Sequence, residues 1–111
     1  MTKKLVAFVC APYTAVDQFD RETNIVVARM MAANLWKRGW AVICPQSNSA
    51  HFDDVTEGED FYEGYEEILR RCDAISVSVN WKESKGCRQE VALARALGLH
   101  FIGGLPGKED A

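Results

Sequence analysis

The stretch Asp73-Ala74-Ile75-Ser76-Val77-Ser78-Val79 leads through a short loop, Asn80 to Lys85, into Gly86-Cys87-Arg88-Gln89-Glu90-Val91-Ala92-Leu93-Ala94-Arg95-Ala96-Leu97-Gly98. Its first part is short, apolar and β-branched, and reads as a buried strand. In its second part Cys87, Val91, Ala94 and Leu97 recur with helical spacing, and Gly98 is placed to stop the helix. In an open parallel sheet, ligands bind where the carboxyl end of a strand meets the N-terminus of the next helix. Glu90 stands at that point, in the first turns of a helix whose inner stripe is otherwise apolar.

The same alternation extends in both directions. Leu5 to Cys10 reads as the first strand, ending at Ala11-Pro12. A helix from about Arg21 to Arg38 follows, with Asp20 as N-cap and Ile25, Ala28, Ala32, Leu35 and Trp36 as its inner stripe; Gly39 ends it. Trp40 to Cys44 is a second strand, closed by Pro45. Gln46 to Gly58 reads as a polar, structureless loop, long enough to be functional or mobile. The next helix, about Glu59 to Cys72, puts Phe61, Tyr65, Ile68, Leu69 and Cys72 on one face. Its outer face carries Glu66–Arg70 and Glu67–Arg71 in the stabilising i,i+4 order. Leu99 to Ile102 makes a last strand, and Gly103 to Ala111 is a tail without a core pattern.

Strands alternating with helices imply a parallel sheet joined by right-handed crossovers. The expected class is α/β: a three-layer, flavodoxin-like (Rossmann-like) sandwich of four to five strands in the order 2-1-3-4. The 111 residues make one domain, with its core over residues 5–102.

Bulk composition narrows the partners. A net charge of −3 gives no reason to expect a nucleic-acid polymer, although a small acidic protein can still hold one phosphorylated ligand. No apolar run is long enough for a membrane span, and the basic start followed by a short apolar run fits a first strand better than a signal peptide. A cytoplasmic chain is expected. Cys10, Cys44, Cys72 and Cys87 are far apart in sequence, and His51 and His100 do not complete a metal spacing. The expectation is structural thiols in a reducing compartment, with no metal and no cofactor. Met30, Met31, Trp36, Trp40 and Trp81 exceed what one small core needs, so a homodimer or larger homo-oligomer is expected.

Several residues converge on one edge of this sheet. Glu90 borders its helix's core stripe, where the helix N-terminus favours the carboxylate and burial opposes it. A carboxylate held between those effects can serve as nucleophile or base; acidic residues also favour first turns for purely structural reasons. Ser84 and Gly86 offer a hydroxyl, close backbone approach and free helix N–H groups, which suit a phosphate, or form an N-cap and a flexible joint. Pro12, Tyr13 and Thr14 leave the first strand at that edge, as a ligand-contacting segment or as a proline-directed turn. Asn48 and His51 leave the second strand there. Neither a P-loop nor a G-x-G-x-x-G is present, which disfavours ATP hydrolysis and NAD-linked hydride transfer.

Three features taken together resemble the nucleoside 2-deoxyribosyltransferase-like superfamily. They are the strand ending in Ala11-Pro12-Tyr13; Leu69-x-x-Cys72-Asp73-Ala74-Ile75; and Trp81-x-x-Ser84-x-Gly86-x-x-x-Glu90 with Ala94 and Leu97-Gly98. The nearest branch in pattern is the small domain of unknown function frequent in phage and prophage genomes, and the resemblance covers about Leu5 to Ile102. It implies a cleft for a nucleoside or nucleotide and a nucleophilic glutamate, matched by Glu90, that attacks the anomeric carbon. At the position of Ser84 the transferases carry aspartate, whereas the related 2′-deoxynucleoside 5′-phosphate N-hydrolases carry a serine that binds the 5′-phosphate. Both branches carry an aspartate where this chain has Tyr65, so the acid that assists the leaving base is replaced.

The expected activity is therefore N-glycoside hydrolysis or transfer on a (deoxy)nucleoside or its 5′-monophosphate. In it Glu90 is the nucleophile, Ser84 the phosphate ligand and Tyr13 the group positioning Glu90. The alternative is a non-catalytic nucleotide binder, and a third reading assigns Glu90 to a salt bridge with Arg88 or Arg95.

Overall fold

The computed structural model describes residues 3–107. Strand β1 (Val6–Cys10) is followed by α1 (Gln18–Lys37), β2 (Ala41–Ile43), a short α2 (Pro45–Asn48) and α3 (Gly58–Arg70). Then come β3 (Ala74–Val77), a 3₁₀ turn (Trp81–Glu83), α4 (Lys85–Leu97) and β4 (His100–Phe101). All pairings are parallel and the sheet order is β2-β1-β3-β4. The α/β class and the 2-1-3-4 order are thus as the sequence implies, with four strands.

β1 is one of the two inner strands and shows why its run is apolar on both faces. Ala7 and Val9 pack against Ala28, Ala32 and Leu35 of α1, whereas Phe8 and Cys10 pack against Leu69 of α3 and Val91 and Ala94 of α4. Alternate side chains enter opposite layers, as the pleat requires, and the result is three layers. Asp73 ties the layers' edge: its carboxylate accepts the N–H of Val6 at 2.8 Å, and its own N–H donates to the Val6 carbonyl.

Several details depart from the expected boundaries. Helix α1 begins three residues early because Asp17, not Asp20, is the N-cap; the Asp17 carboxylate accepts the N–H of Asp20. Trp36 is more than half exposed, outside the buried stripe, and Leu97 is likewise exposed. Trp81, expected as a surplus surface group, is buried, and its indole N–H donates to the Pro106 carbonyl at 2.7 Å. The tail to Gly107 is accordingly docked rather than free of the core, with Leu105 packed on the same cluster. Residues 108–111 lie outside the described part. Of the two helix pairs expected on α3, Glu67–Arg71 forms at 3.0 Å. The polar segment after Pro45 is not structureless throughout: Pro45, at the first helical position, starts α2, which carries its first three residues to Asn48. No helix among the described residues is long and apolar enough to cross a membrane.

Candidate functional site

The segment leaving β1, the N-terminus of α4, helix α2 with the loop after it, and the first turns of α3 enclose a cleft of about 220 Å³. Glu90 lines it together with Tyr13, Thr14, Tyr65, Ser84 and Gly86. Six of the residues singled out from the sequence therefore meet in one cavity. Pro12 lies beside it, in a second hollow shared with Thr14, Ser84 and Gly86.

Helix α4 carries the polar end. Ser84 is the N-cap, its Oγ accepting the N–H of Cys87 at 3.2 Å while its carbonyl accepts that of Arg88. The hydroxyl hydrogen remains available to a ligand, as do the N–H groups of Lys85 and Gly86 in the first turn. The cap and ligand readings of Ser84 are thus compatible. Gly86 has a second reason to be glycine: a Cβ there would stand 3.0 Å from Cε1 of Tyr62.

One turn beyond Gly86, Glu90 forms part of the cleft floor. Its pKa rises from an ordinary 4.5 to about 8, first because burial penalises the charge, then through Cys87 and Glu66; a hydrogen bond with Cys10 opposes the shift. The ion pairs among the described residues join Arg21 to Asp53, His51 to Glu22 and Arg71 to Glu67. None reaches Glu90, so the proposed bridge to Arg88 or Arg95 is not formed. No hydrogen bond joins Tyr13 to Glu90 among the described residues; the Tyr13 hydroxyl accepts the backbone N–H of His51 at 3.2 Å.

Tyr65 is fixed rather than free. Its hydroxyl accepts from the Asn48 amide at 2.9 Å and donates to Ser49 Oγ at 2.8 Å, while its ring meets Phe8 edge-on. Asn48 thus serves the site through Tyr65 and does not line the cavity. His51 stays outside: it is exposed, adopts a left-handed φ of 66°, and its Nε2 lies 3.2 Å from Glu22.

Sequence reasoning missed most of the opposite wall. Phe52, Asp53, Phe61 and Tyr62 all line the cleft. The helical spacing puts Phe61 on the core face, and no periodicity marks the other three. Gln46 was missed as well. It is buried, and its amide donates to the Ala11 carbonyl at 2.6 Å and the Val9 carbonyl at 3.4 Å, pinning the end of β1.

The cysteines are all free thiols. Cys10, at the end of β1, and Cys87, in the first turn of α4, come together although 77 residues separate them, because the parallel sheet brings those two ends to one edge. Their sulfurs and a carboxylate oxygen of Glu90 lie within 4.8 Å of one another. The contact with Cys87, then burial, hold Cys10 as a thiol, whereas the contact with Cys10 lowers the pKa of Cys87. Among the described residues this is the cluster with a metal-ligating donor set.

The arrangement is an aromatic-walled slot with the N-terminus of α4 at one side and a carboxyl group on its floor. No curated protein matches the chain. A family match spans residues 19–103, well over half of the sequence, and the chain belongs to the family described as Domain of unknown function (DUF4406).

Proposed function

We propose that the cleft binds a (deoxy)nucleoside 5′-monophosphate and cleaves its N-glycosidic bond. The observation that carries this reading is the placement of Glu90 on the floor of a slot walled by aromatic side chains, nearly two helical turns beyond Ser84. A planar base fits between Phe52, Phe61, Tyr62 and Tyr65, since such rings stack on any base. The 5′-phosphate takes the Ser84 hydroxyl and the first N–H groups of α4. That puts the sugar over Glu90.

In its ionised form Glu90 attacks the anomeric carbon. The carbon–oxygen bond to Glu90 forms as the carbon–nitrogen bond to the base breaks, and the base leaves with the bonding pair and takes up a proton. Water then displaces the carboxylate and yields the free sugar phosphate. A carboxylate stabilises the oxocarbenium character of both steps. The resemblance to nucleoside 2-deoxyribosyltransferase-like proteins, with serine at the hydrolase position, supports a nucleotide over a nucleoside.

A second reading has a specific observation behind it. With a pKa near 8, Glu90 is mostly a neutral acid at pH 7, and Tyr65 stands where the resemblance expects an acid. A neutral Glu90 donates a hydrogen bond to a sugar hydroxyl and the protein binds a nucleotide without turnover. Incubation with each common deoxynucleoside monophosphate, followed by chromatography for free base, separates the two. Base release lost in Glu90→Gln supports hydrolysis, binding without release supports the binder, and the absence of both overturns the nucleotide site.

A further inference from the structure

The proposed reaction uses Glu90 but leaves two nucleophilic groups beside it without a role. Cys10 and Cys87 are almost wholly buried, and apart from its hydrogen bond with Glu90 the Cys10 thiol has a long contact, 3.8 Å, to the Cys87 carbonyl. Cys44 and Cys72 lie elsewhere and show no such clustering. Glu90 adds a third donor, within 4.8 Å of both sulfurs, and forms none of the ion pairs described above. The two sulfurs are buried and the carboxyl group stands at the inner end of the cleft, a donor set that one cation satisfies together.

We propose that Cys10, Cys87 and Glu90 are the protein ligands of a site for a thiophilic divalent cation, best matched by Zn²⁺. The fourth position opens into the cleft. Zinc takes sulfur at about 2.3 Å and carboxylate oxygen at about 2.0–2.2 Å in a tetrahedron. Its ligand atoms then stand roughly 3.3–3.8 Å apart, by the geometry of those bonds. The three donors need only a small inward rotation from their present limit of 4.8 Å. Their backbones are well placed for it. Cys10 is fixed at the end of the inner strand β1, in register with Val77. Cys87 and Glu90 are three apart on α4, and so share a face.

The donor set selects the metal. Two sulfurs favour zinc over magnesium or calcium, which require oxygen. Cation binding replaces the protons of both thiols and the carboxyl group, leaving one excess negative charge at the site. Arg88, close enough to favour the Cys87 thiolate, and the N-terminus of α4 partly offset that charge. Because Cys87 and Glu90 line the cavity, the open position faces whatever the cleft holds, as in zinc sites with three protein ligands and one exchangeable one. A metal-bound Glu90 is withdrawn from attack on a sugar, so the occupied and metal-free forms have different chemistry. The site itself does not depend on the glycosidic reading.

Titration of the fully reduced protein with Co²⁺ tests the site directly. One equivalent is expected to give a near-ultraviolet thiolate-to-cobalt charge-transfer band with intense tetrahedral bands in the visible, and Zn²⁺ should bleach both. Cys10→Ser and Cys87→Ser should each halve the charge-transfer intensity or weaken binding at least tenfold. Glu90→Gln should weaken binding with the sulfur band retained. The double variant Cys44→Ser/Cys72→Ser keeps only the two proposed thiols and should retain the full spectrum, which guards against a Cys10 or Cys87 variant that fails to fold. The assignment is overturned by the absence of a charge-transfer band in reduced wild-type protein. Loss of the band in the double variant, an unchanged spectrum in both single cysteine variants, or unchanged affinity in Glu90→Gln overturns it equally.

Discussion

Gly86 lies so close to Tyr62 that a Cβ on the glycine would stand 3.0 Å from Cε1 of the ring. The first turn of α4 and the first turns of α3 therefore touch through an absent side chain, and that contact forms one wall of the cleft. Tyr62 is partly exposed and can swing away. Gly86→Ala should then cost little stability, because alanine regains up to about 1 kcal/mol of helix propensity. The displaced ring should weaken nucleotide binding about tenfold, roughly 1.4 kcal/mol. Calorimetric binding and thermal melts of the same variant check both halves, and Gly86→Ala/Tyr62→Ala should recover the space but not the stacking. Unchanged affinity in Gly86→Ala would remove Tyr62 from the ligand wall.

The raised pKa of Glu90 gives a signed pH dependence. The folded protein keeps its proton up to about pH 8, whereas the unfolded chain loses it near 4.5. Between those values the native state binds more protons, so this group's contribution to stability is fully present below 4.5 and falls as pH rises through 8. Each unit of the shift is worth about 1.4 kcal/mol, so even half of it gives a measurable slope. In urea melts, Glu90→Gln should match wild type at pH 5 and exceed it at pH 9. The two functional readings also part here. Hydrolysis needs the carboxylate, so kcat/KM should climb with pH and level off above about 8. A binder that uses the neutral acid should instead lose affinity over the same range. A pH-independent kcat/KM would exclude Glu90 as the nucleophile.

Ser84 holds a helix cap and faces the cleft, and substitutions can separate those tasks. Ser84→Ala removes the bond to the Cys87 N–H and should cost about 1 kcal/mol of stability. Ser84→Asp restores a capping oxygen but adds a negative charge where the phosphate is proposed to sit. Its stability should approach wild type, while preference for a nucleoside monophosphate over the nucleoside falls at least tenfold. Equal preference in wild type and Ser84→Asp would leave Ser84 a cap alone.

What the sequence disclosed and what it hid follow from periodicity. The buried strands and amphipathic helices carried a repeating signal, so the order 2-1-3-4 and the meeting of Tyr13, Ser84 and Glu90 at one edge were legible. Phe52, Asp53 and Gln46 lie in a segment whose positions are set by individual hydrogen bonds, not by a repeat. The pairing of Cys10 with Cys87 is purely tertiary, since nothing local marks two cysteines 77 residues apart. Trp81 misled for a related reason: its burial depends on the docked tail and the Pro106 carbonyl, which sequence patterning could not supply.

Gln46 shows how such a bond fixes the site. Its buried amide satisfies the Ala11 and Val9 carbonyls just where β1 gives way to the segment bearing Tyr13. Gln46→Leu keeps the bulk and removes the donors. Each carbonyl left dry costs about 1–3 kcal/mol, so a destabilisation of roughly 2 kcal/mol is expected, with weaker nucleotide binding as Tyr13 loosens. A urea midpoint within error of wild type would mean that water replaces the amide.

Asp53 bears on the step that Tyr65 leaves open. A departing base needs a proton, and the Tyr65 hydroxyl already donates to Ser49 Oγ at 2.8 Å. Asp53 lines the same cleft and is held 3.7 Å from Arg21 with about half of its side chain exposed. If it assists the leaving group, Asp53→Asn should lower base release from ordinary deoxynucleoside monophosphates about 100-fold, the low end for general acid catalysis. The same variant should hydrolyse a 4-nitrophenyl deoxyriboside 5-phosphate almost as fast as wild type, because that leaving group departs without a proton. A merely structural role predicts equal losses on both substrates, since the ion pair with Arg21 does not sense the leaving group. Comparing the two rates in Asp53→Asn and Arg21→Gln therefore tests the carboxylate apart from its ion pair: only the former should show leaving-group dependence.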